Sequence, residues 1–82
     1  MPRRDWKLRI SDIIEAIENA LDYSAGMTFE QFAADRKTID AVVRNFIVIG
    51  EAATHLSDDF IVQHPDLPWR EMRDMRNLVV HE

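Results

Sequence analysis

The chain has 82 residues, with 15 acidic and 10 basic side chains, a net charge of -5 and no cysteine. That length leaves room for one small domain, and the lack of cysteine excludes disulfides and most structural zinc sites. The acidic balance argues against the broad phosphate-binding surface that drives non-specific nucleic-acid affinity, so any such contact has to be local.

A core this small is only marginally stabilising. Because His55, His64 and His81 are not paired at metal-ligand spacings, association with another chain is the remaining source of stability. The N-terminal Met-Pro-Arg-Arg-Asp-Trp has no apolar run behind its basic pair. No stretch approaches the roughly 18 apolar residues that span a bilayer, so a cytoplasmic protein without membrane contact is expected.

From Asp5 to about Ser24, residues Ile10, Ile13, Ile14, Ile17 and Leu21 recur at helical spacing and form one apolar stripe, which Gly26 stops. Thr28-Phe-Glu-Gln31 has the capping-box pattern, so a short helical turn begins there, anchored by Phe29 and Phe32. Asp35 or Thr38 caps the next helix, which runs to about Leu56. Its apolar residues, Ile39 through Ala53, cover most of its circumference and place it at the centre of a bundle.

Ser57 to His64 supports one or two further turns. Pro65 and Pro68 then punctuate the chain before a helix that starts with Trp69 and carries Met72, Met75, Leu78 and Val79 on its apolar face. No segment alternates with period two between turn residues, and no repeat is visible. The expected class is all-α, most simply an antiparallel helical bundle. At Glu82 the last helix is still open, without a glycine, proline or capping run, which reads as a C-terminal truncation.

On a continuous helix Asn77 and His81 share a face, Arg76 lies beside Asn77, and Arg73 falls one turn earlier. Such a set suits phosphodiester cleavage. Histidine moves a proton at neutral pH, a guanidinium holds a phosphate and its developing charge, and the asparagine can orient either. The bland alternative is a solvated histidine beside arginines paired with acids.

The segment Arg76-Asn77-Leu78-Val79-Val80-His81 resembles the mark of the HepT-like HEPN ribonucleases, an arginine, a polar residue, three further residues and a histidine. The resemblance continues upstream in Asp35-Arg36-Lys37-Thr38, Arg44-Asn45, Ile49-Gly50-Glu51-Ala52-Ala53, His64-Pro65 and Pro68-Trp69-Arg70-Glu71, and so covers essentially the whole chain as one HEPN domain over 1–82. It implies the toxin of a type VII-like toxin–antitoxin system, a metal-independent endoribonuclease acting on tRNA or mRNA without a cofactor. The implied partners are a second copy of the chain, an MNT-type nucleotidyltransferase antitoxin and the RNA substrate.

Arg76, Asn77 and His81 of two protomers would then meet across a dimer interface. There the ribose 2′-hydroxyl attacks the adjacent phosphate, His81 exchanges the proton, Arg76 stabilises the developing charge and Asn77 positions them. Family members usually continue from the histidine through one residue to a tyrosine that the antitoxin modifies by adding AMP, and then to another long helix. Here Glu82 fills the intervening position, and the tyrosine and closing helix have no counterpart.

Other residues carry two readings each. Glu51 either buttresses Arg76 or His81 from the neighbouring helix or makes a surface ion pair; Gly50 lets another helix approach closely. Arg70 and Arg73 either extend a phosphate contact or pair with Glu71, Asp66 or Asp74. Arg3, Arg4, Lys7 and Arg9 form a basic start that is ordinarily just solvated. Trp6 and Trp69 are expected as core or interface anchors, and His55 and His64 without a chemical role. Against the nuclease stand a non-catalytic HEPN module that binds a nucleotidyltransferase, and a plain helical dimerisation module in which His81 is replaceable.

Overall fold

The structure, a computed structural model, describes residues 5–78. The basic pair Arg3 and Arg4, together with Val79, Val80, His81 and Glu82, lies outside the described residues. Five α-helices follow one another: α1 (Asp5–Ser24), α2 (Phe29–Ala34), α3 (Arg36–Thr54), α4 (Asp58–Gln63) and α5 (Trp69–Asp74), and a 3₁₀ turn (Met75–Asn77) closes the series. The described residues contain no strand, as the missing period-two pattern required. None of their helices is long and apolar enough to cross a membrane.

Each boundary has a local cause. Gly26 takes a positive φ of 77°, a conformation open to glycine without steric cost, and the chain reverses after α1. Thr28 and Gln31 form the expected reciprocal cap of α2, with bonds of 3.1 and 2.9 Å. Asp35, rather than Thr38, caps α3, its carboxylate accepting from the Thr38 amide at 3.1 Å. That amide bond, and then the Thr38 hydroxyl, hold the Asp35 carboxyl below the usual carboxylate range.

α1 and α3 lie antiparallel, since Asn19 donates to Asn45 at 3.3 Å whereas Ile13, six residues earlier, joins the cluster of Ile49, Ala52 and Ala53. Asn45 is buried and also donates to the Ala41 carbonyl, so its amide is satisfied inside the interface. The core continues through Leu56 to Trp69 and Met72 of α5. Phe60 of α4 stands between Trp6, the His64 ring and Trp69, and the Trp69 indole donates to the His64 carbonyl at 2.7 Å. Both tryptophans are thus anchors, Trp6 at the rim and Trp69 in the core.

Three expectations need correction. The α1 stripe is only half covered: Ile13, Ala16 and Ala20 are buried, whereas Ile14, Ile17 and Leu21 stay exposed because α3 lies over the alanine side of the helix. α3 is central but not enclosed, with Arg44, Val48, Glu51 and His55 exposed along its outer face. The last helix does not run unbroken through the motif. α5 ends at Asp74, the next three residues tighten into the 3₁₀ turn, and Leu78 is extended with its amide bonded back to the Met75 carbonyl.

Candidate functional site

The site is organised around a glycine. On α3, Gly50 is buried and packs against the backbone of the 3₁₀ turn, so closely that a Cβ there would overlap the Arg76 nitrogen and stand 2.9 Å from its Cα. Mid-helix glycine costs about 1 kcal/mol relative to alanine, and here the close approach is the compensating reason. The predicted role of Gly50 is therefore met, with a 3₁₀ turn rather than a full helix as the element that approaches.

This seating fixes the backbone of Arg76 and leaves its side chain, and that of Asn77, exposed. Among the described residues neither side chain makes a hydrogen bond or ion pair within the chain. Both groups are adjacent on an anchored turn, so a ligand would meet donors whose backbone is already positioned. His81, the third member expected here, lies outside the described residues.

Arg73 has a different occupation. Its Nε donates to the Ala53 carbonyl at 3.2 Å and an Nη to the Leu56 carbonyl at 3.1 Å, with Asp58 3.9 Å away. The guanidinium thus satisfies carbonyls at the C-terminus of α3 and sits where the helix dipole favours a cation. None of the acids expected as its partners, Glu71, Asp66 or Asp74, is involved. A partial sequence signal for this tie did exist: α3 ends at Thr54-His55-Leu56 without a glycine, and the His55 and Leu56 amides bond back to Ala52 and Ala53, so further carbonyl capacity at this end is open to a side-chain donor.

Charge-assisted hydrogen bonds from the partly exposed Arg73 guanidinium to these carbonyls of buried residues are each worth on the order of 1 kcal/mol. Arg73→Met, which keeps the aliphatic stem, is accordingly expected to lower the unfolding free energy by about 1–2 kcal/mol in a urea titration. Unchanged stability would free Arg73 for a ligand.

Glu51 follows Gly50 and is exposed, its carboxylate 3.9 Å from the His55 ring one turn on. Among the described residues no ion pair joins it to Arg76. Arg70 is exposed on α5, so Arg76 and Asn77 are the members of the expected set that the described structure brings together. Asn45, for which the sequence suggested no role, proves to be the buried polar link between α1 and α3.

The family described as Ribonuclease HepT-like matches residues 13–82. A protein of Methanocaldococcus jannaschii named "Putative RNase" is 40% identical over 81 residues, which are 99% of this chain and 67% of that protein. The "Probable ribonuclease HepT" of Thermococcus cleftensis is 42% identical over 79 residues, 96% of this chain and 72% of its own length. A further M. jannaschii protein named "Putative RNase" is 30% identical over 82 residues and is covered to 75%. No solved structure matches.

Proposed function

Because the chain belongs to the HepT-like ribonuclease family, we propose that it is an endoribonuclease whose active group is Arg76, Asn77 and His81. The observation that carries this reading is the anchored 3₁₀ turn. It presents Arg76 and Asn77 to solvent with no internal partner among the described residues, in the spacing at which the family motif places its histidine.

In this reading the ribose 2′-hydroxyl attacks the neighbouring phosphorus and the P–O5′ bond breaks, leaving a 2′,3′-cyclic phosphate and a 5′-hydroxyl. His81 takes or returns the proton, since imidazole titrates near neutral pH. Arg76 faces the charge that accumulates on the phosphate oxygens, where a planar guanidinium can bind two of them at once. Asn77 orients the phosphate or the imidazole. These residues supply the charge and the proton transfer by themselves, so the reaction needs no metal.

A single chain offers one copy of each group, and a homodimer that juxtaposes two copies allows separate acid and base histidines. Pairing also gives a small bundle apolar burial that it lacks alone. The biological setting that fits is a cytoplasmic toxin held in check by an MNT-type nucleotidyltransferase antitoxin, with tRNA or mRNA as substrate.

The test is cleavage of purified tRNA by the chain and by His81→Ala, in the presence of EDTA, with the 3′ ends analysed. Cleavage to 2′,3′-cyclic phosphate ends that disappears in the variant is the expected result. Equal cleavage by both would remove His81 from the mechanism, and none by either would favour the non-catalytic partner-binding module.

A further inference from the structure

α3 leaves one side to solvent. Asp40, Arg44, Val48, Glu51 and His55 follow one another at intervals of three or four residues and are exposed, with Ile47 half-buried beside Val48. α1 and the 3₁₀ turn take other sides of the same helix, through Asn45 and Gly50. A charged row of this kind is ordinarily a solvated face, and it is the order of the charges that sets this one apart.

The row reads acid, base, apolar pair, acid, histidine. Turned end for end about a point between Ile47 and Val48, it meets itself with the opposite character at each step, because position 44 comes level with 51 and position 40 with 55. At 1.5 Å of rise per residue these positions lie about 5 and about 11 Å from that point along the axis. A second copy laid antiparallel on α3 would therefore set each Arg44 guanidinium against the other copy's Glu51 carboxylate, and each Asp40 level with a His55 ring. Ile47 and Val48 would meet their own copies at the centre. Within one chain the Glu51 carboxylate stands 3.9 Å from His55 and is more than half exposed, so it has room for a second cation. A parallel arrangement would bring Arg44 to Arg44 and Glu51 to Glu51, so charge selects the antiparallel one.

We propose that two copies of the chain pair antiparallel through this side of α3, with Arg44 and Glu51 as the reciprocal ion pairs that set the register. The pairing gives the homodimer of the proposed function its surface, yet it stands on the charge order and not on the nuclease chemistry. Gly50 lies on the flank of the row, and a two-fold axis normal to both helices keeps the two flanks on one side. Both anchored turns, each with Arg76 and Asn77, then open to the same face of the pair.

Arg44→Glu and Glu51→Arg each turn both ion pairs into repulsions, so analytical ultracentrifugation of either variant should show self-association weakened by at least about tenfold relative to the parent chain. Mixed one to one, the two variants regain an attraction at both places, and a heterodimer as tight as the parent dimer is expected. A second measurement carries the test if a charge variant fails to fold. The chain has no cysteine, so Val48→Cys supplies a thiol that meets its own copy and should form a disulfide dimer under oxidant, whereas Ile14→Cys, exposed on α1, should not. A monomeric parent chain, association untouched by either charge variant, a mixture of folded variants as weak as its components, or oxidation of Ile14→Cys as ready as that of Val48→Cys overturns the proposal. Association is read without RNA, so the two readings fail separately: a dimer that leaves RNA intact sinks the nuclease alone, and a monomer that cuts it sinks the pairing alone.

Discussion

Arg76→Ala is expected to slow RNA cleavage by roughly 10²–10³-fold while leaving the melting temperature almost unchanged. A fixed donor aimed at developing charge is commonly worth that much in rate. An exposed side chain without a partner among the described residues contributes little to folding, usually within about 0.5 kcal/mol. The two halves of the result separate a chemical role from a structural one. Arg76→Lys should recover only part of the rate, because an ammonium offers a point charge where the guanidinium offers a planar fork. Single-turnover cleavage of an RNA oligonucleotide, with thermal unfolding followed by circular dichroism, provides both readouts. Wild-type rates in Arg76→Ala would dismiss the phosphate-binding role.

Gly50→Val should act in the opposite order, on the fold first and on the chemistry through it. The new side chain has to enter space held by the Arg76 backbone, which cannot swing aside as a long side chain does. Overpacking of this kind costs about 3 kcal/mol, and the better helix propensity of valine returns only a few tenths. For a chain of this size the melting temperature should fall by more than about 10 °C. Below the lowered transition the folded fraction should still cleave poorly, because the 3₁₀ turn has been pushed off its seat. If Gly50→Ala proved more stable than the parent, the close packing of α3 on the turn would be refuted.

Much of this arrangement could be read in the residue order because its causes are local. Gly26, the Thr28 and Gln31 box and the Asp35 cap act within four residues of themselves, and the helices they delimit appear where expected. Gly50 was also legible, since a glycine in an otherwise apolar helix asks for a close neighbour. Where the cause lies between elements, the pattern ran out. The stripe on α1 says which side is apolar but not how much of it α3 can cover, and Leu21 and Ile17 remain open. Periodicity extends α5 past Asp74, whereas the crossing over Gly50 accompanies a tighter turn at Met75–Asn77. Arg73 looked like a companion of Arg76 from spacing alone, and only the packing of α5 against the end of α3 reveals that it turns the other way, onto the Ala53 and Leu56 carbonyls.

The caps of α2 bear on how the molecule can open. That helix contains no buried residue and is held at its start by the Thr28 and Gln31 bonds and at its end by Asp35, which serves α3 as well. Undoing it exposes little apolar surface beyond that of the half-buried Phe32, whereas lifting the 3₁₀ turn breaks the close packing on Gly50 and takes Met75 off the core. Excursions of α2 therefore belong to the low rungs of the ladder of partial unfolding, and those of the Arg76 segment to the high ones. One edge of the molecule can loosen without disturbing the turn that carries Arg76 and Asn77.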